Sequence, residues 1–363
     1  MSPIRRWFLV LLGVLGLLAV PVVGRMLPVP DSDTSASTLL DRVHRSAAVA
    51  YSGFVESTGG LSLPASDDFS DLATLLGERS RMRVWWRGPQ DWRVDAIEPT
   101  GETDLIRDAG ATTIWEYESN RATRTVDADI RLPRSSDLLP PTLARLLLAE
   151  ATAAQVSRIE AERIAGRNAP GLRFTPAEPQ SSLDRVDVWV DPETGLPLRV
   201  MVYGGRQRTP AMTTTFLDLS TDVPEAAMTE FAPPPGADLR FDATIDIAAA
   251  ANRFAPATPP STLAGLSRSA ERDLGAVGEY GRGATRLLAI PIWHESAEAL
   301  RDQLAATPGS RQNERGIRVS AGPLGLLLTP CGRDEEVVWL LGGTVTDRTL
   351  QRAADELVGL AGR

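Results

Sequence analysis

VWVDPETGLPLRVMV, residues 188–202, is the stretch whose reading decides the fold of this chain. Val186, Val188 and Val190 alternate on its upstream side, and Leu196, Leu198, Val200 and Val202 on its downstream side. Between them lies Asp191-Pro192-Glu193-Thr194-Gly195. Proline fixes one turn dihedral, and Gly195 fills the position that calls for positive φ. A period of two with one apolar side predicts a half-buried antiparallel hairpin.

The same alternation extends upstream. In residues 80–87, Met82, Val84 and Trp86 oppose Arg81, Arg83, Trp85 and Arg87. After a tight turn at Gly88-Pro89-Gln90-Asp91, Trp92, Val94 and Ala96 oppose Arg93, Asp95 and Ile97. Residues 102–108, 112–118 and 122–127 continue the meander, with turns at Ala109-Gly110 and Ser119-Asn120. Helical spacing of Leu39, Leu40, Val43 and Ala47 predicts a helix over 38–50, and a short one is possible over 71–76. Leu143, Leu146, Leu147 and Ala151 predict another over 140–154, with Pro141 in the first turn. Further strands are read at 155–165, 171–175 and 212–219, and a short helix at 223–228.

Phe231-Ala232-Pro233-Pro234-Pro235-Gly236 closes this unit, because consecutive prolines suit neither a helix interior nor a central strand. Residues 237–260 are rich in Ala, Pro and Asp and read as a linker. Residues 261–363 read as a small α/β domain, with strands at 285–292, 316–321, 325–330 and 336–342 and helices at 296–304 and 346–357.

Arg5 and Arg6 precede an apolar run over residues 7–23. That is the layout of a secretory signal peptide or of an uncleaved membrane anchor within residues 1–30, and both place the rest of the chain outside the cytoplasm. The net charge is −9, and all 38 basic residues are Arg. An acidic chain without a basic run lacks the electrostatic footprint of nucleic-acid binding. Cys331 is the one cysteine, so no internal disulfide framework exists and the fold must stand on its core.

No catalytic constellation emerges. His44 and His294 fall in different units, and His294-Glu295-Ser296-Ala297-Glu298 lacks the second histidine of a zinc helix. There is no Gly-x-Ser-x-Gly elbow and no phosphate loop. Gly278-Glu279-Tyr280-Gly281-Arg282-Gly283 lacks the glycine spacing of a dinucleotide fingerprint. No metal or cofactor is expected. What remains is an apolar sheet face, formed by Met82, Val84, Trp86, Trp92, Val94, Trp115 and Tyr117 together with Val188, Leu198 and Val200. It is either ordinary core or, if two helices do not cover it, the lining of an apolar cavity. The Arg81, Arg83 and Arg87 row is either a solvated outer face or a grip for an anionic group.

Taken in order, the export segment, Tyr51-Ser52-Gly53-Phe54-Val55, the meander, the 191–202 hairpin and the Phe-Ala-Pro-Pro-Pro-Gly ending resemble the LolA/RseB superfamily over about residues 38–240. Val337-Val338-Trp339-Leu340-Leu341-Gly342-Gly343-Thr344-Val345 and the helix after it resemble the end of the small second domain of RseB/MucB-type proteins. The resemblance implies an α+β protein. A curved antiparallel half-barrel covered by helices would span residues 31–236, with the small C-terminal α/β domain at 261–363. It further implies a non-enzymatic extracytoplasmic regulator. Its partners would be the acyl chain of a lipid or lipoprotein and the extracytoplasmic region of a membrane anti-sigma factor. The alternative is a LolA-like carrier of lipid or lipoprotein across the envelope.

Overall fold

The computed structural model describes residues 29–61, 70–98, 101–108, 110–205, 207–241, 246–270, 272–330 and 337–361. The expected export segment up to residue 28 and Cys331 lie outside them. Among the described residues, no helix is long and apolar enough to cross a membrane.

Helix α1 (Ala36–Arg45) opens the described chain, capped by the Ser35 side chain, which accepts from the Thr38 amide at 3.2 Å. There follow β1 (Tyr51–Gly59), α2 (Ser70–Gly77), β2 (Arg79–Gly88), β3 (Asp91–Glu98), β4 (Gly101–Asp108), β5 (Ala111–Glu116) and β6 (Arg121–Val126). Helix α3 (Pro140–Leu148) precedes β7 (Val156–Ile164), β8 (Arg167–Phe174), β9 (Leu183–Val190), β10 (Pro197–Gly204), β11 (Met212–Ser220) and β12 (Asp238–Phe241). These strands form one 12-stranded sheet in the order β12-β6-β5-β4-β3-β2-β1-β11-β10-β9-β8-β7. Every pairing is antiparallel except β12 with β6.

The hairpin of residues 188–202 pairs Val188 with Val200 and Val186 with Val202. Gly195 has φ 77°, and its amide donates to the Asp191 carbonyl at 2.9 Å. A Cβ there would lie 2.7 Å from the Arg42 carbonyl, so glycine also lets the turn press on α1. Arg42 answers by donating to the Pro192 carbonyl at 2.7 Å. The turn thus anchors the first helix across the sheet. Helices α1 and α3 meet where the His44 ring nitrogen lies 2.8 Å from the Leu148 carbonyl.

The second sheet has six strands in the order β15-β16-β20-β19-β18-β17. Helix α4 (Ile247–Phe254) and the two-residue strands β13 (Thr262–Leu263) and β14 (Leu266–Ser267) precede it. Its elements are β15 (Gly278–Arg282), β16 (Thr285–Trp293), α5 (His294–Ala306), β17 (Arg311–Asn313), β18 (Gly316–Ala321), β19 (Leu324–Leu328), β20 (Val337–Gly343) and α6 (Asp347–Ala361). Leu350, Ala353, Ala354 and Leu357 of α6 pack with Leu287, Ala289 and Leu341 on one side of this sheet. Ala297 and Leu304 of α5 pack with Val319, Leu328 and Val338 on the other.

Two expectations are corrected here. The 237–260 stretch carries β12 and α4 rather than a plain linker. Asp246 caps α4 by accepting from the Ala248 and Ala249 amides at 2.9 and 3.1 Å, and Ala248 and Ala251 bury against Leu274, Ala276 and Val277. Strand β15 (Gly278–Arg282) adds to the strands expected in the smaller sheet. In α3 the buried residues include Leu143, Ala144 and Leu148, and Leu147 is packed partly against the core, which leaves Leu146 of the expected stripe exposed.

The two sheets are tightly joined. Ser181 bridges to Val345, and the Thr346 amide donates to the Gln180 carbonyl at 2.8 Å. Glu150 accepts from the Gly283 amide at 2.7 Å, and Gly204 leaves no room for a Cβ against Pro323.

Candidate ligand-binding face

Directly paired residues in an antiparallel ladder share a face. One row on the helix-covered side therefore runs Tyr51, Trp86, Trp92, Arg107, Thr112, Thr125 across β1 to β6. The next carries Gly53, Val84, Val94 and Leu105, and the one after it Phe216, Val55, Met82 and Ala96. A further row runs Ser57, Thr214, Val200, Val188, Leu172. Of the sequence-predicted set, Met82, Val84, Trp86, Trp92, Val94, Val188, Leu198 and Val200 share one buried cluster. Leu39, Leu40 and Val43 of α1 and Leu143, Ala144 and Leu148 of α3 close over it. The face is therefore packed with side chains rather than open.

Trp115 and Tyr117 are corrections to that set. Trp115 pairs with Asp104 and Ala122, which puts it on the opposite face, where Phe231 packs on it with ring centres 5.6 Å apart. Its neighbour Ile114 takes the inner position opposite Leu105. β5 stops at Glu116, and Tyr117 stands 69% exposed in the turn closed by the Asn120 amide on its carbonyl. The Phe-Ala-Pro-Pro-Pro-Gly segment thus roofs the outer face of β4 to β6.

The aromatic end of the inner face is ordered. Tyr51 and Trp86 stack at 5.8 Å, Trp86 and Trp92 at 5.7 Å, and Phe216 meets Tyr51 edge-on at 5.6 Å. Arg145 of α3 lies over Trp86. Sequence reading passed over Tyr51 and Arg145. Tyr51 carried a signal, as the first apolar residue of an alternating strand. Arg145 carried none, being one arginine of many in a helix of leucines.

On the outer face Asp95, Glu102 and Asp104 place carboxylate oxygens within 4.8 Å of one another. Two guanidinium groups sit among them. Arg93 pairs with Asp95 at 2.6 Å and Asp104 at 2.7 Å, and Arg83 with Glu102 at 2.6 Å and Asp95 at 3.4 Å. Three carboxylates against two cations leave one negative charge in a buried setting. Burial first, and Asp95 next, push the Asp104 carboxyl up to about 7, while burial also raises Asp95. The hydrogen bond and charge of Asp95, with the charges of Asp104 and Glu102, outweigh burial and raise Arg93. A proton on Asp104, held below pH about 7, would bring the cluster of three carboxylates and two guanidinium groups to zero net charge. The Arg row is committed elsewhere too, since Arg81 pairs with Glu56 at 3.2 Å and Arg87 with Asp91 at 2.8 Å. Asp187 is likewise buried under Arg173, at 2.6 and 2.7 Å. The histidines serve separate places, His44 between α1 and α3 and His294 beside Trp293 at the start of α5.

No protein-family model matches this chain, and no curated protein matches it. Among solved structures, it is similar to MucB of the Pseudomonas aeruginosa MucA/MucB complex, at 18% identity and a TM-score of 0.50, over 88% of this chain and 96% of that one. A second structure of MucB in complex with MucA(peri) gives 18% identity and a TM-score of 0.49, over 88% and 97%. MucB alone gives 16% and 0.47, over 88% and 96%. The fold is MucB-like. Covering 88% of this chain, the likeness reaches beyond the large sheet.

Proposed function

We propose that this chain is a non-enzymatic extracytoplasmic regulator that binds an acyl chain of a lipid or lipoprotein and the extracytoplasmic region of a membrane anti-sigma factor. The observation that carries this reading is the match, over 88% of this chain, to a protein solved in complex with MucA. The large sheet offers a broad apolar face covered by short helices, α1 and α3. An acyl chain entering there replaces helix contacts with its own, at about 0.8 kcal/mol for each buried CH₂. Ligand binding therefore competes with the seating of α1. A conformation with α1 displaced would hold lipid better, and only such a difference in affinity turns occupancy into a signal. The N-terminal segment would deliver the chain to the envelope, as cleaved signal or as anchor.

Photo-crosslinking from the small sheet in the native envelope tests the partner. Recovery of one single-span membrane protein with a sigma-binding cytoplasmic part is expected. Recovery of lipoproteins alone would shift the reading to a carrier.

A further inference from the structure

The outer-face arginines meet carboxylates. Arg145 does not: no ion pair involves it among the described residues. Its guanidinium carbon lies 6.0 Å from the centre of the Trp86 ring. Its Nη1, the Tyr51 hydroxyl and the Trp86 Nε1 are all buried and without a hydrogen-bond partner. The Thr142 hydroxyl, one turn earlier on α3, is in the same state. Tyr51 and Trp86 are themselves fully or almost fully buried, and they are stacked. The unpaired groups of Tyr51, Trp86 and Arg145 therefore gather at one aromatic pair at one end of the apolar face.

A guanidinium over an indole is explained by cation–π attraction. That contact leaves the indole N–H and the phenol O–H without acceptors, and buried donors are ordinarily paired. Burial holds Arg145 below its usual pKa and Tyr51 above its own, and each feels the other's charge. Arg and Trp side chains donate only, so what complements them is an acceptor-only group such as a carboxylate or phosphate. Arg107, in the same row, already pairs with Asp127 and does not compete for such a group.

We propose that Arg145, Trp86 and Tyr51 form the site for the anionic head of a single-chain amphiphile whose tail runs along the Val84, Met82 and Val200 rows. The tail half rests on the lipid reading above. The head half is new and is tested separately.

The test uses the full chain, delipidated, with tryptophan emission titrated by four probes. These are oleate, oleoyl lysophosphatidate, oleyl alcohol and inorganic phosphate. Oleate, lysophosphatidate or both are expected to bind about tenfold more tightly than the alcohol. Whichever does identifies the head as carboxylate or phosphate. Arg145→Gln is expected to bring that preference within about twofold while leaving the alcohol unchanged. Tyr51→Phe, which removes only an unpaired hydroxyl and keeps the stack, is expected to weaken the preferred probe about threefold. Equal affinity of all three oleyl probes for the wild type would overturn the anion site and leave the acyl reading standing. Binding of phosphate without any oleyl probe would support the donor site and overturn the acyl reading. Binding of none would overturn both.

Discussion

The arginines on the outer face of the large sheet and Arg145 of α3, over its inner face, are used in opposite ways. On the outer face Arg83, Arg93 and Arg173 lie across Asp95, Glu102, Asp104 and Asp187, and each cation answers a carboxylate. On the inner face Arg145 lies over a tryptophan with no acid beside it. A paired arginine is scaffold, because its removal strands a buried charge. An unpaired one is free for a ligand. The pleat sends adjacent residues such as Arg93 and Val94 to opposite faces, and Arg145 meets the inner face from α3.

This contrast is broken most directly by stability. Arg93→Met leaves Asp95 and Asp104 buried without their main partner and is expected to cost about 3–5 kcal/mol in urea unfolding. Arg145→Gln is expected to stay within about 1 kcal/mol of wild type. Equal losses would erase the distinction between scaffold and ligand arginine. Trp86→Ala removes the centre of the aromatic stack and should cost about 3–5 kcal/mol, against less than about 0.5 for exposed Tyr117→Ala.

The pH profile sharpens the comparison. Asp104 titrates near 7 in the folded chain, above its ordinary 3.8, so the folded state holds the proton more tightly than the unfolded one. Its contribution is present at low pH and is lost as pH rises toward and through about 7. Asp104→Asn should flatten that fall and leave the variant about 1 kcal/mol more stable than wild type at pH 8, read by thermal unfolding. A wild type whose stability is flat between pH 5 and pH 8 would contradict the raised Asp104 carboxyl. A small effect is also expected at Arg81→Gln, whose pair with Glu56 is half exposed. It should change stability by less than about 1 kcal/mol.

Much of the large sheet was legible because its rows obey a period of two. Val186, Val188, Val200 and Val202 meet in the register that their alternation demands. The linker reading failed at residues 237–260 because an Ala-rich segment has no strong apolar stripe. Helix α4 buries only small side chains, and its cap at Asp246 is a local signal that composition hides. Trp115 was misplaced because it stands next to Ile114, and only the pairing with Leu105 tells which of the two turns inward. The donor group was invisible. Arg145 reaches Tyr51 and Trp86 only through the packing of α3 across the sheet, and a charge without a partner leaves no mark in a sequence.

The most direct test of the lipid-binding claim is extraction and mass spectrometry of the chain purified without detergent from its native envelope. A stoichiometric anionic amphiphile or acylated peptide is expected, and Arg145→Gln should lose the anionic species selectively. A protein that comes away empty and gives no response to a fluorescent fatty acid would contradict the account, leaving the inner face as filled core.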